Sequence, residues 1–207
     1  MLTQKLLAFT TLGADWVLWL LILLSVASVG VMIERAFFFF ARRLPEHDAL
    51  ARRLLAGDLA GARGAVEGRE GMEADVIRAV AEHAGKGPEA VAEVVNAQLE
   101  RTRLDYERRL AFLGTLGNNA PFIGLFGTVL GIVRAFADLA AHPGAGGAGT
   151  VMAGISEALM ATAVGLFVAL PAVVMFNLYQ RWLRRSAQRS AALGHAAVAF
   201  LKARPEA

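Results

Sequence analysis

The chain contains no cysteine, which excludes disulfides and thiolate-held metals at the outset and leaves the redox compartment unreadable. Its histidines, His47, His83, His142 and His195, are scattered without ligand spacing, so no metal site is expected. No phosphate-cradling loop, nucleophile elbow or pair of catalytic carboxylates occurs, and the glycine-rich stretch 142–149 lacks the Gly-Lys-Ser/Thr ending that such a loop needs. We therefore expect neither an enzyme nor a cofactor. Charge is also sparse, at 19% of residues against 56% hydrophobic. The formal excess of +3 invites a nucleic-acid reading, but most of the base sits beside apolar runs, so no nucleic-acid partner is expected. Arginine dominates that base, and alanine and glycine abound, which reads as genome composition.

What the sequence has in excess is uninterrupted apolar length. Residues 16–33, 110–133 and 158–180 carry no charge, and a bilayer core asks for about 20 apolar residues in a helix. One such run could be a buried core helix; three in 207 residues predict three membrane spans. The first run is too long for a signal peptide, which has a core of about 7–15 residues, and it continues into Phe37, Phe38, Phe39 and Phe40, so it is expected to be an anchor. Glu34-Arg35 reads as an interfacial ion pair that stops this span.

Arginines flank the spans on one side: Arg42 and Arg43, then Arg101, Arg103, Arg108 and Arg109, then Arg181, Arg184, Arg185 and Arg189. Lys5 and Arg134 are all that faces the other way. Basic flanks mark the cytoplasmic face. The predicted layout has an external N-terminus over 1–15, spans over 16–41, 109–141 and 153–180, a cytoplasmic helical segment over 42–108, an external loop over 142–152 and a cytoplasmic helical tail over 181–207. The segment 42–109 balances twelve bases against thirteen acids and reads as amphipathic helices broken near Gly57, Gly61, Gly64, Gly68 and Gly71, and again at Gly85-Lys86-Gly87-Pro88. Pro88 suits a first helical position. With no breaker from Glu89 to Pro121, one helix is expected to run from 89 to 141, about 80 Å at 1.5 Å per residue. The fold class is thus an all-α integral membrane protein, N-terminus out and C-terminus in, with long helical extensions.

Within span two, Gly114, Gly117, Pro121, Gly124, Thr128, Gly131 and Ala135 recur at alternating steps of three and four, which holds them on one helix face. Ala158, Thr162, Gly165, Ala169 and Ala172 repeat the device in span three, and Pro171 follows close by. Small residues let membrane helices approach where lipid gives no hydrophobic drive, so Gly117, Pro121, Gly124, Gly131, Gly165 and Pro171 are candidates for helix packing. Either threonine could merely bond its own helix. Glu157 is a carboxylate one or two turns inside span three with no base near it in sequence. Such groups face an interior or a water-filled path and often relay protons; an interfacial Glu is the plainer alternative. Five residues apart, Glu157 and Thr162 sit about 140° apart, so they cannot both point at one narrow target.

Two stretches are recognisable. Asn118-Asn119-Ala120-Pro121-Phe122-Ile123-Gly124-Leu125-Phe126-Gly127-Thr128-Val129-Leu130-Gly131-Ile132 is followed by Gly154-Ile155-Ser156-Glu157-Ala158-Leu159-Met160-Ala161-Thr162-Ala163-Val164-Gly165-Leu166, then Ala169-Leu170-Pro171-Ala172. Together they resemble the ExbB/TolQ branch of the MotA/TolQ/ExbB proton-channel family, with the close likeness over about residues 110–185. The resemblance implies a pentamer around a lumen lined by spans two and three. That lumen would hold a single-span ExbD/TolR-like partner with an intramembrane Asp. In the inner membrane, proton flow would drive motion that a TonB- or TolA-like protein carries to the outer membrane, energising transport or other envelope processes there. It also implies that Thr128, Glu157 and Thr162 line a proton path, protons being the transported ion. A MotA-type stator would bring a fourth span and a larger cytoplasmic domain. The competing expectations are a non-conducting membrane scaffold and a motor subunit serving gliding or other motility.

Overall fold

The computed structural model describes residues 15–141 and 147–203 and, among these, every regular element is helical. They are α1 Asp15–Ala41, α2 His47–Leu55, α3 Leu59–Ala65, α4 Met72–His83, α5 Pro88–Glu107, α6 Leu110–Ala141 and α7 Gly147–Ala203, with a 3₁₀ turn at Ala84–Lys86. Three of them, α1, α6 and α7, are long and apolar enough to cross a membrane. The predicted N-terminus 1–15 and the loop tip 142–146 fall, but for Asp15, outside the described residues.

The chain divides into two compact units. The first gathers α1 up to Ile33 with Ala111–Phe176, the apolar parts of α6 and α7. Its core is small for its length: Val17 and Leu21 of α1 belong to one buried apolar cluster with Leu116, Ala120, Leu130, Val168, Ala169 and Ala172. Many of its large side chains point away from the chain, with Trp19 71%, Leu23 67% and Phe167 75% exposed. Helices apolar on every side are what a lipid solvent or neighbouring spans require.

The second unit, Glu34–Leu110 with Asn177–Ala207, follows soluble-protein rules. Leu50, Leu54, Val66, Ile77, Val80, Val91 and Leu193 bury fully or nearly so in one core. Apolar residues recur three and four apart along each of the helices that supply them, so every helix turns one stripe inward. Turns fall where glycine supplies a positive φ, at Gly57 (80°) and Gly87 (95°), and Pro88 opens α5 as expected. Gly61 and Gly64, expected to break helices, lie inside α3 instead; Asp58 caps that helix by accepting the Gly61 N–H, and its Ala62 is fully buried in the core.

Two further expectations are corrected. The helix from 89 to 141 is not continuous: α5 stops at Glu107, Arg108 is extended at ψ 133°, and Arg109 takes a left-handed φ of 66° before α6 begins. No glycine or proline announces this break. At this break the Arg109 guanidinium lies 3.3 Å from Glu34. The first helix runs past Glu34-Arg35 to Ala41. Arg35 forms a two-pronged pair with Glu34 at 2.7 Å and donates to the Asp105 carbonyl at 3.3 Å, so the pair ties α1 to α5. At the other end, α7 begins at Gly147, inside the stretch read as loop. Gly154 lets α7 pack close on α6 near this end, since a Cβ on it would lie 2.8 Å from the Ala135 side chain. The predicted extension of span three into a helical tail is seen: α7 is one helix of 57 residues.

Candidate functional site

In the first unit α6 and α7 run antiparallel and touch at glycines. A Cβ on Gly124 would lie 2.6 Å from the Ala161 carbonyl oxygen, and one on Gly165 would lie 2.6 Å from that of Ala120. A Cβ on Gly117 would instead meet a side chain, lying 2.5 Å from the Val173 Cγ2 methyl and 3.1 Å from the Val173 backbone nitrogen. Only hydrogen fits at these three positions, and the spacing of four and three along each helix brings them to one seam. Of the other packing candidates, Pro121 is half-buried, Pro171 is exposed on this chain, and Gly131 lines a cleft described below.

One turn past Gly124 the seam turns polar. Thr128 is 8% exposed, and its hydroxyl touches the Thr162 hydroxyl across the seam. The same oxygen lies 3.3 Å from the Gly124 carbonyl and 3.2 Å from the Ala158 carbonyl. One hydroxyl donates one proton at a time, so Thr128 has three acceptors for a single donor. If Thr162 donates to Thr128, Thr128 passes its own proton to a carbonyl; if Thr128 donates to Thr162, the polarity of the pair reverses. Both threonines of the sequence reading thus meet at one point.

Glu157 does not join them. It is the residue before Ala158, exposed on this chain, as the 140° offset requires. It lines a cleft of about 310 Å³ with Asp15, Gly131, Arg134, Asp138 and Gly154. Arg134 reaches Asp138 at 4.0 Å, and among the described residues no base comes within ion-pair distance of Glu157. The carboxylates of Asp15 and Asp138 beside it escaped the sequence reading, since they lie at the outer ends of helices far apart in the chain.

A second polar cluster, in the second unit, was also missed. Glu73 is 4% exposed, with Arg189 Nε at 2.8 Å and His47 Nδ1 at 3.4 Å. Neither nitrogen makes a good hydrogen bond to the carboxylate; the Arg189 contact is ionic, and that of His47 is ionic only when the ring is protonated. Burial raises the Glu73 carboxyl above its ordinary value and outweighs the nearby Arg189. Burial, then Arg189, lowers His47. The readable signal was an acid at 73 sharing a helix face with Val76, Ile77 and Val80.

Three spanning helices, two of them locked through glycine and joined by hydroxyls at their crossing, define a polytopic membrane protein. The chain belongs to the MotA/TolQ/ExbB proton channel family, which it matches over residues 68–191, and it falls in the ExbB/TolQ branch. It is 47% identical over 89 residues to the Tol-Pal system protein TolQ of Pseudomonas aeruginosa, covering 43% of this chain and 38% of that protein. With the biopolymer transport protein ExbB of Salmonella typhimurium it shares 44% over 93 residues, 40% of this chain and 38% of that one. With ExbB of Pseudomonas putida it shares 43% over 97 residues, 45% and 29% of the two chains. The chain thus matches less than two-fifths of the length of each of these relatives. The family match reaches further upstream, into α4 and α5, than the motifs quoted above.

Proposed function

We propose that the chain is the ring-forming subunit of a proton-driven motor in the inner membrane, with the N-terminus outside and the C-terminus inside. Five copies would surround a lumen lined by α6 and α7. A single-span ExbD/TolR-like protein would place an intramembrane carboxylate inside it, and a TonB- or TolA-like protein would pass the work to the envelope. The proton is the only ion or cofactor this reading needs, and it assigns the chain no enzymatic step.

The observation that carries the reading is the Thr128–Thr162 hydroxyl pair on a seam otherwise stripped to glycine. A proton entering one end of a hydroxyl pair leaves from the other, and the pair resets by rotating about its C–O bonds, with the Gly124 and Ala158 carbonyls accepting in turn. Glu157, one residue from Ala158, would exchange protons with the outer side through its cleft. The carboxylate of the partner would be the acceptor further in.

A second reading has its own support. The Thr128 hydroxyl is buried and already has carbonyl acceptors within reach, which is what a packing tie needs, and then the ring is a scaffold. Three variants separate the two. Glu157→Gln keeps shape and hydrogen bonding but cannot exchange a proton; we expect an assembled ring with no energised function. Thr128→Val and Thr162→Val each delete a hydroxyl, a loss of about 1 kcal/mol per buried hydrogen bond; we expect partial activity in assembled rings. The measurement is proton flux beside native mass of each ring. An active Glu157→Gln ring would remove Glu157 from the path, and disassembly of the threonine variants would establish the scaffold.

A further inference from the structure

The second unit holds a cleft of about 200 Å³ formed by the last turn of α1, residues 42–44 that follow it, Glu73 of α4, and the part of α7 that follows its apolar stretch. Phe40 and Trp182 supply an apolar wall, Ser186 a hydroxyl, and Arg43, Arg185 and Arg189 the polar rim. Two arginines here are already committed. Arg189 pairs with Glu73 and donates to the Leu44 carbonyl at 3.1 Å. Arg42, also on the cleft, pairs with Glu70 at 2.7 Å and lies over the Phe38 ring at 3.8 Å. Arg43 and Arg185 have no carboxylate within ion-pair distance among the described residues. Two uncompensated guanidiniums therefore edge a hollow with aromatic walls. Phe37 and Phe40, 72% and 77% exposed, continue the apolar surface along the end of α1.

We infer that this cleft binds an anionic glycerophospholipid, its phosphodiester on Arg43 and Arg185 and its acyl chains along Phe40 and Phe37. A guanidinium fork matches the paired oxygens of a phosphodiester. Basic pockets at the ends of spanning helices hold anionic head groups in this way. The aromatic wall selects lipid over a soluble phosphate, which would leave Phe40 and Trp182 facing water. The rim selects against zwitterionic lipids, whose ammonium would sit among arginines. The placement in the inner leaflet rests on the topology proposed above; binding itself does not.

The test is native mass spectrometry of the full chain in detergent, offered dioleoylphosphatidylglycerol or dioleoylphosphatidylcholine at equal concentration, with glycerol 3-phosphate as competitor. Phosphatidylglycerol should be retained at least tenfold better than phosphatidylcholine and should resist the competitor. Arg43→Gln and Arg185→Gln should each weaken retention about fivefold, and the pair together about twenty-fivefold, following the contribution of a single basic residue near an anionic surface. Arg63→Gln, an exposed arginine on α3, should change nothing. The Arg43→Lys/Arg185→Lys chain keeps both charges, so it should bind better than the glutamine pair even if that pair folds poorly. Equal retention of the two lipids, or an equal loss from Arg63→Gln, overturns the site. Full displacement by glycerol 3-phosphate overturns the lipid and assigns the cleft to soluble phosphate.

Discussion

At the scale of single residues, the seam between α6 and α7 sets how much side chain each position tolerates. Gly124→Ala and Gly165→Ala would each push a methyl to 2.6 Å from a backbone carbonyl oxygen, a contact that no rotamer relieves. Overpacking of this kind costs about 1–3 kcal/mol, and we expect each variant to melt several degrees lower in detergent. Gly30 is the control, since a Cβ there meets nothing within 4 Å and Gly30→Ala should melt like the parent. Equal melting of all three chains would refute the seam. These glycines were legible in the sequence because their three-and-four spacing has only one helical meaning. Their partners were not, since spacing within one helix says nothing of register with another. That register made Thr128 and Thr162 a pair and left Glu157 in a separate cleft.

At the scale of elements, α4 carries a buried acid that ordinary helix patterning forbids. His47, beside Glu73, has a lowered pKa, so the folded state resists charging it. A depressed pKa gives stability that is present above the unfolded value of 6.5 and is lost as pH falls through the folded one. Glu73 has the opposite sign: its raised pKa makes the folded state easier to keep once the carboxyl is protonated, toward its ordinary 4.5. Between pH 7.5 and 6 the histidine should dominate. Hydrogen exchange of the Met72–His83 amides, corrected for intrinsic rate, should lose protection over that interval. In His47→Gln, which cannot titrate, protection should stay level. A parallel fall in both chains would remove His47 as the cause. The same scale shows what sequence could not give. The break at Arg108-Arg109 has no glycine or proline, so local propensity does not encode it; what accompanies it is a contact distant in sequence, Arg109 with Glu34.

At the scale of the whole molecule, the three spans were readable because a bilayer demands length and apolarity of each helix separately. The second unit was readable only as amphipathic pieces, because its core is assembled from helices far apart in the chain. The proposed topology has a direct measurement, helped by the lack of native cysteine. In intact cells Gly146→Cys should react with a membrane-impermeant thiol reagent. Gly85→Cys, at an exposed position with open space around a Cβ, should react only after lysis. The reverse pattern would invert the orientation and with it the side from which protons enter.

Trp182 has a consequence of another kind. It stands edge-on to Tyr179 at 5.7 Å and to Phe39 at 5.9 Å, on the wall of the arginine-rimmed cleft. The other two indoles, Trp16 and Trp19, lie at the far end of α1. With those two changed to phenylalanine, all remaining indole light comes from one place, and excitation absorbed by Tyr179 has an acceptor beside it. The emission colour of that single indole then follows how wet the cleft is, giving the protein a built-in optical gauge that needs no dye.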